Sequence, residues 1–350
     1  MIKLYLTSFF VSLIAVLVFT PFVSRLAKLA GVLDYPGVRR IHTRVVPRWG
    51  GVAIFLGVAA GLAVLFFFPQ FKKLLAYQYS FTLNKKIVEV LTIDTQFWGI
   101  LLGGAVVMIL GMIDDKKNLP AIIKLLVQII AALVAMYYGV VVSGLAMPVG
   151  KNFVQFPSLI SLIFTVIWLV VFMNSINFID GLDGLAGGVV AIASITFLIV
   201  AILQGETKIV FFSKQLKLAS LLSAAVGGAC LGFLFYNFFP ARIFMGDSGS
   251  LFLGFMLGVI TVIGTLKTTA VIALFVPIIV VGLPLADLIF SVIRRFRNKQ
   301  PLTQADRQHF HHRLLDLGWT QREIVLLIYI LTLLLGVTAI LLTVFKGKVI

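Results

Sequence analysis

From Leu4 to Ser24 the chain carries no charged side chain, and apolar runs of similar length return along its whole course. They fall near 4–28, 50–69, 97–113, 121–142, 157–177, 185–204, 216–236, 250–266, 269–292 and 324–345. About 20 predominantly apolar residues coil into a helix long enough to cross a hydrocarbon core of ~30 Å. The pattern predicts an all-α polytopic membrane protein of about ten transmembrane helices, with both termini on one side. Even the longest polar intervals, Phe71–Gln96 and Arg294–Glu323, are too small to stand as domains. No internal repeat alters the count, so residues 1–350 read as a single integral membrane domain. The first run follows Lys3 and could pass for a secretory signal. It is too long for a signal core and ends without a small-x-small cleavage site, so it counts as the first span.

Composition sharpens the class. The chain is 61% hydrophobic and 12% charged, with mean hydropathy +1.11, whereas soluble domains carry about 25% charged residues. A net charge of +16 would point to nucleic acid in a soluble protein. In a membrane protein it points instead to anionic lipid head groups and phosphorylated substrates, and no nucleic acid partner is expected. The single cysteine, Cys230, sits inside an apolar run, which excludes an internal disulfide and any cysteine-built metal site.

Charge placement gives the orientation. The loops after spans 1, 3, 5, 7 and 9, with the adjoining helix ends, hold 17 of the 29 Lys and Arg, and every arginine is among them. The excess assigns this side to the cytoplasm. Planar, bidentate guanidinium groups also suit phosphate recognition. Every aspartate except Asp94 lies on the same side. Carboxylates converging from several short loops read as one polar site at the cytoplasmic helix ends.

Four stretches carry candidate chemistry. "GMIDDKKNLP" ends the third span with Asp114 and Asp115. Neighbours on a helix point about 100° apart, so the two could serve different tasks, such as metal ligand and base. The plain alternative is a solvated helix end balanced by Lys116 and Lys117. "NSINFIDGLDGLAGG" spaces Asn174, Asn177, Asp180 and Asp183 three residues apart, one polar stripe if the helix continues. Its glycines argue that the helix breaks and lets backbone approach a ligand. A cap would account for the acids, but not for two asparagines at membrane depth.

"NFFPARIFMGDSGS" brings Asn237, Phe244 and Asp247 to a helix start, where freed N–H groups can hold phosphate. Simple capping by Asp247 or Ser248 is the competing reading. "QADRQHFHHRLLDLG" holds His309, His311, His312 and Arg313, donors suited to a diphosphate, or else a basic helix lying on the lipid surface. The first loop, with Arg39, Arg40, His42, Arg44 and Arg48, reads as positive-inside anchoring and joins the site only by its side of the membrane.

In this order, "DYPGVRRIH…PRWGG", "DDKKNLPA", "NSINFIDGLDGLAGG", "FMGDSGS" and "HFHHRLLDLG" make the chain resemble the polyprenyl-phosphate N-acetylhexosamine-1-phosphate transferase family nearly end to end. The resemblance implies a ten-helix fold and a cytoplasmic active site. It also implies dependence on Mg²⁺, with Mn²⁺ as a substitute. The reaction it implies moves a sugar-1-phosphate from a UDP-sugar to a polyprenyl phosphate lipid and releases UMP. It places the metal on Asp247, with Asp115 as partner, and makes Asp114 the favoured base. Gly181, Leu182, Asp183, Asn237 and Phe244 match positions lining the uridine pocket. Asn174, Asn177 and Asp180 join the same polar cluster. Lys124 is placed to meet the lipid phosphate, and His309, His311, His312 and Arg313 cover the diphosphate and sugar.

Phe310 interrupts the histidines and "VPRWGG" precedes the second span, both like the bacterial GlcNAc-1-phosphate branch. UDP-GlcNAc and undecaprenyl phosphate are therefore the expected substrates, in a multi-pass protein of the cell inner (plasma) membrane. A homodimer is compatible with this reading. Related UDP-N-acetylhexosamines stay open, as does a transporter of an anionic solute. A CDP-alcohol phosphotransferase is disfavoured, because "LAGGVVAI" after Asp183-Gly184 lacks its further Ala-Arg and spaced aspartates.

Overall fold

The structure, a computed structural model, describes residues 1–36, 44–67, 76–83, 86–93, 95–146, 153–204, 210–264, 281–297 and 314–347. Its helices are α1 (Ile2–Leu29), α2 (Gly50–Phe67), α3 (Thr95–Lys117), α4 (Ala121–Tyr137), α5 (Ser158–Ile179), α6 (Leu185–Gln204), α7 (Val210–Asn237), α8 (Gly246–Gly264), α9 (Gly282–Arg297) and α10 (Gln321–Gly347). Eight of them are long and apolar enough to cross a membrane among the described residues. A helix satisfies its own backbone polar groups, as a lipid-embedded chain requires.

One segment departs from the expected ten. The run expected to span 121–142 stops at Tyr137, because Gly139 turns the chain at φ +95° and its N–H bonds back to the Met136 carbonyl. That leaves α4, at 17 residues, shorter than the eight helices long enough to cross. Half of the run expected at 269–292 lies outside the described residues, and its described half falls in α9.

Among the described residues, three antiparallel hairpins join the helices: β1 (Leu33–Asp34) with β2 (Val46–Pro47), β3 (Ala76–Leu83) with β4 (Lys86–Ile93), and β5 (Gly144–Ala146) with β6 (Phe153–Gln155). In the second, Ala76 pairs with Ile93 and Leu83 with Lys86, within an interval that reads from sequence only as polar.

Helix α8 is the hub. Its apolar window is 89% buried, against 28% for α1, and it packs against α2, α3, α5, α6 and α7. Small residues allow this crowding. A methyl on Gly51 of α2 would collide with the Gly249 backbone, and one on Gly111 of α3 with the backbone of Ser248. The first turn of α8 is thus clamped between α2 and α3. Outer helices turn large apolar side chains such as Phe10, Phe22, Ile163 and Leu334 outward, as a lipid surround demands.

Candidate active site

The first turn of α8 anchors the site. A helix start leaves N–H groups without intrahelical partners and favours a nearby negative charge. Asp115, at the end of α3, supplies it. Its Oδ1 accepts the Asp247 N–H at 2.9 Å, and its Oδ2 accepts the Ser248 N–H at 3.3 Å and the Ser248 hydroxyl at 2.9 Å. Gly246 permits this approach at φ +70°, since a Cβ there would strike the Asp115 carboxylate. The cap therefore comes from α3, not from α8's own Asp247 or Ser248. Three donors occupy most of the roughly four lone-pair sites of the Asp115 carboxylate.

With the cap supplied from outside, the Asp247 side chain faces two other elements. Its Oδ1 accepts from Asn177 Nδ2 of α5 at 3.1 Å, and its Oδ2 from Lys124 Nζ of α4 at 3.1 Å. Asn177 Nδ2 also reaches Ser250 Oγ at 2.9 Å. Lys124 bridges onward to Asp114 Oδ2 at 2.9 Å, while Asp114 Oδ1 accepts the Leu119 N–H at 2.6 Å. The Lys124 and Asp247 side chains retain 28% and 26% exposure, so a ligand can reach both. Asp180, just past α5, is half-buried. Burial first, then the charges of Asp247, Asp115 and Asp183, push its carboxyl up to about 8 against the pull of Arg48.

Beside this cluster the α5–α6 turn is stitched to the α7–α8 loop. Asp183 Oδ2 accepts the Ala241 N–H at 2.9 Å. Asn237 accepts the Gly184 N–H at 3.1 Å and donates to the Ile243 carbonyl at 2.9 Å. Both ends of that buried amide are thus engaged within the protein. Gly184 turns at φ +79°, and its carbonyl accepts the Tyr329 hydroxyl of α10 at 2.6 Å. On this frame Gly181 is exposed, Leu182 buried and Phe244 half-buried.

The first loop enters the site directly, where sequence joined it only by side. Phe244 N–H donates to the Pro47 carbonyl at 2.9 Å, and the Gly50 and Gly51 N–H groups donate to the Phe244 and Met245 carbonyls, each at 3.0 Å. Trp49 Nε1 reaches the Met112 carbonyl at 3.1 Å, and Arg48 pairs with Asp34 at 2.7 Å. This loop therefore sets the position of Phe244.

The structure brings Asp114, Asp115, Lys124, Asn177 and Asp247 into one bonded network, with Asp180 in its field. Asn174 lies a turn deeper, donating to Gln128 at 2.7 Å and to the Val170 carbonyl at 2.8 Å. His309, His311, His312 and Arg313 lie outside the described residues, as do Arg39, Arg40 and His42. Gln128 and Tyr329 escape the sequence reading, and of the two only Gln128 carries a signal there, as an amide four residues after Lys124 in an apolar helix.

Among the described residues, no three His, Cys, Asp or Glu side chains gather as a metal-holding group. An accessible Asp247 with Asp114 and Asn177 nearby nevertheless fits a hard cation. Magnesium is usually held by one or two carboxylates, completed by substrate phosphates and water.

A family model described as Glycosyl transferase family 4 matches residues 97–265. The probable undecaprenyl-phosphate N-acetylglucosaminyl 1-phosphate transferase of Bacillus subtilis (strain 168) is 36% identical over 340 residues, covering 96% of this chain and 84% of that protein. The chain belongs to the polyprenyl-phosphate N-acetylhexosamine-1-phosphate transferase family. Other members of this transferase family align over most of their length. The decaprenyl-phosphate N-acetylglucosaminephosphotransferase of Mycobacterium tuberculosis (strain CDC 1551 / Oshkosh) is 33% identical, over 88% of this chain and 75% of that protein. The phospho-N-acetylmuramoyl-pentapeptide-transferase of Desulfotalea psychrophila (strain LSv54 / DSM 12343) is 32% identical, over 69% and 71%. The stretch matched by the family model holds every member of the bonded network. Pro47, Trp49, Gly50 and Gly51 lie outside it, yet are bonded to it.

Proposed function

We propose that this transferase moves N-acetylglucosamine-1-phosphate from UDP-GlcNAc to undecaprenyl phosphate, releasing UMP, at the cytoplasmic face of the inner membrane. The observation that carries the reading is the Asp114–Lys124–Asp247–Asn177 chain, an accessible ammonium between carboxylates at the ends of apolar helices. Transfer between two phosphate-bearing substrates calls for positioning and charge neutralisation more than covalent help. A divalent cation, Mg²⁺ first and Mn²⁺ as substitute, would be held by Asp247 with Asp114 and Asn177 beside it. Bound there, it would neutralise diphosphate charge and polarise the reacting phosphoryl group.

The remaining work falls to the chain. Lys124 attracts the acceptor lipid phosphate and offsets its repulsion from the diphosphate. An oxygen of that phosphate forms a bond to the β-phosphorus of the UDP-sugar. The bond from that phosphorus to the bridging oxygen breaks, and UMP leaves with the electron pair. A phosphate monoester has a second pKa of about 6 and is largely ionised at neutral pH, so Asp114 need only orient Lys124 and take any residual proton. Asp115 fixes the start of α8. Phe244 stacks on uracil, while Asp183 and Asn237 hold the loops that frame it. His309, His311, His312 and Arg313 supply donors to the diphosphate and sugar.

The choice of GlcNAc rests on Phe310 between the histidines and on Arg48-Trp49 before the paired glycines. Purified protein with undecaprenyl phosphate, a divalent cation and a panel of UDP-N-acetylhexosamines tests it, with UMP release fastest for UDP-GlcNAc. A faster relative would change the sugar. Solute flux in vesicles with no UMP from any donor would favour the transporter, although transporters usually keep polar sites near the bilayer midplane.

A further inference from the structure

Helix α4 carries Lys124 into the site, and few of its side chains are buried. Ile122, Ile123, Leu125, Leu126, Ile130 and Leu133 face outward, and its buried side chains are Gln128 and three alanines. The alanine face sits on α3, where Gly99 and Gly103 let the α4 backbone come close. Such a small-residue seat sets how closely α4 approaches α3. Against α5 the contact is different. Gln128, 2% exposed, accepts a hydrogen bond from Asn174 Nδ2 at 2.7 Å.

The spacing ties this bond to the site. Gln128 is one turn beyond Lys124 on α4, and Asn174 one turn before Asn177 on α5. Residues three or four apart share a helix face. Lys124 and Asn177 meet on the two oxygens of Asp247, and the Gln128–Asn174 bond joins the same two helices one turn deeper. An amide pair buried in an apolar bundle is costly unless satisfied, and no ligand role is needed to keep it there if it fixes a helix.

We propose that Gln128 is a positioning residue of the reaction: through Asn174 it sets the rotation and depth of α4, and so the approach of Lys124 to Asp247 and the acceptor phosphate. The inference rests on the role given to Lys124 under Proposed function. Gln128→Met keeps side-chain length and removes the acceptor. Its expected effect is a three- to tenfold loss of kcat/KM for undecaprenyl phosphate, the scale of one interhelical hydrogen bond. The loss should appear mainly as raised KM, with the affinity for UDP-GlcNAc, measured by direct binding, unchanged.

A second background separates positioning from general scaffolding. In a Lys124→Met protein, Gln128→Met should add nothing further, because the group it positions is gone. An equal loss in both backgrounds, or no loss beside an impaired Lys124→Met protein, would overturn the inference while leaving the function intact. Full activity of Lys124→Met would overturn the role of Lys124 and this inference with it. Should Gln128→Met fail to insert, Asn174→Leu removes the same bond from α5 and is read against the same outcomes.

Discussion

Asp115→Asn asks whether the carboxylate at the end of α3 acts by holding α8. The substitution keeps the shape and leaves one acceptor oxygen where two received three hydrogen bonds. It also removes the negative charge facing the helix start. Loss of a good N-cap costs ~0.5–2 kcal/mol, and a partly buried charge at a helix end contributes up to ~2 kcal/mol. Relief of carboxylate desolvation offsets part of this, so a net destabilisation of about 2 kcal/mol is expected. For a chain of 350 residues that lowers Tm by about 3 °C. Turnover should fall more steeply, because Asp247 rides on the same turn and a 1 Å misplacement can cost about a hundredfold. Thermal unfolding and UMP release in nanodiscs read both effects, with Asp247→Asn as the comparison that keeps the cap but loses turnover. An unchanged Tm with abolished turnover in Asp115→Asn would refute the anchoring argument and return Asp115 to the chemistry.

Phe244→Ala should weaken UDP-GlcNAc binding by ~1–3 kcal/mol while leaving the KM for undecaprenyl phosphate unaltered, as calorimetry and kinetics would show. Asp180 titrates near 8 in the fold against 3.8 in a free chain, so the folded state loses stability as pH rises between those values and no further above them. Asp180→Asn should therefore gain Tm over the parent as pH climbs from 5 to about 8, the gap staying level above that; a pH-independent gap would contradict the shift. His311→Ala and Arg313→Ala should each lower kcat/KM by about ten- to hundredfold with the protein still inserted, whereas a purely membrane-surface role leaves turnover per inserted molecule unchanged.

The helices were legible because hydropathy and length suffice for them: α1, α2, α5, α6 and α10 fall within a few residues of the apolar runs. The acid-bearing helix ends were legible too, since carboxylates gathered at one side of an apolar chain point to a shared polar site. Pairings between distant segments were not. Asp115 and Ser248 are 133 residues apart, and nothing in either stretch names the other. The backbone bonds from Pro47, Gly50 and Gly51 to the Phe244 loop leave no side-chain signature, so the first loop read as an anchor. Gln128 hid for a related reason: one amide in a long apolar run becomes informative only when its partner, Asn174, is seen across the helix gap.

The central claim is phosphoryl transfer with the sugar still attached, and isotopic labelling tests it most directly. UDP-GlcNAc labelled at the β-phosphorus is incubated with the purified protein, undecaprenyl phosphate and Mg²⁺, and the lipid and nucleotide products are separated. Attack at the β-phosphorus sends the label into the lipid fraction together with GlcNAc and leaves unlabelled UMP. Label recovered in UDP, with GlcNAc alone on the lipid, would mean that the bond to the sugar breaks instead, and would contradict the account.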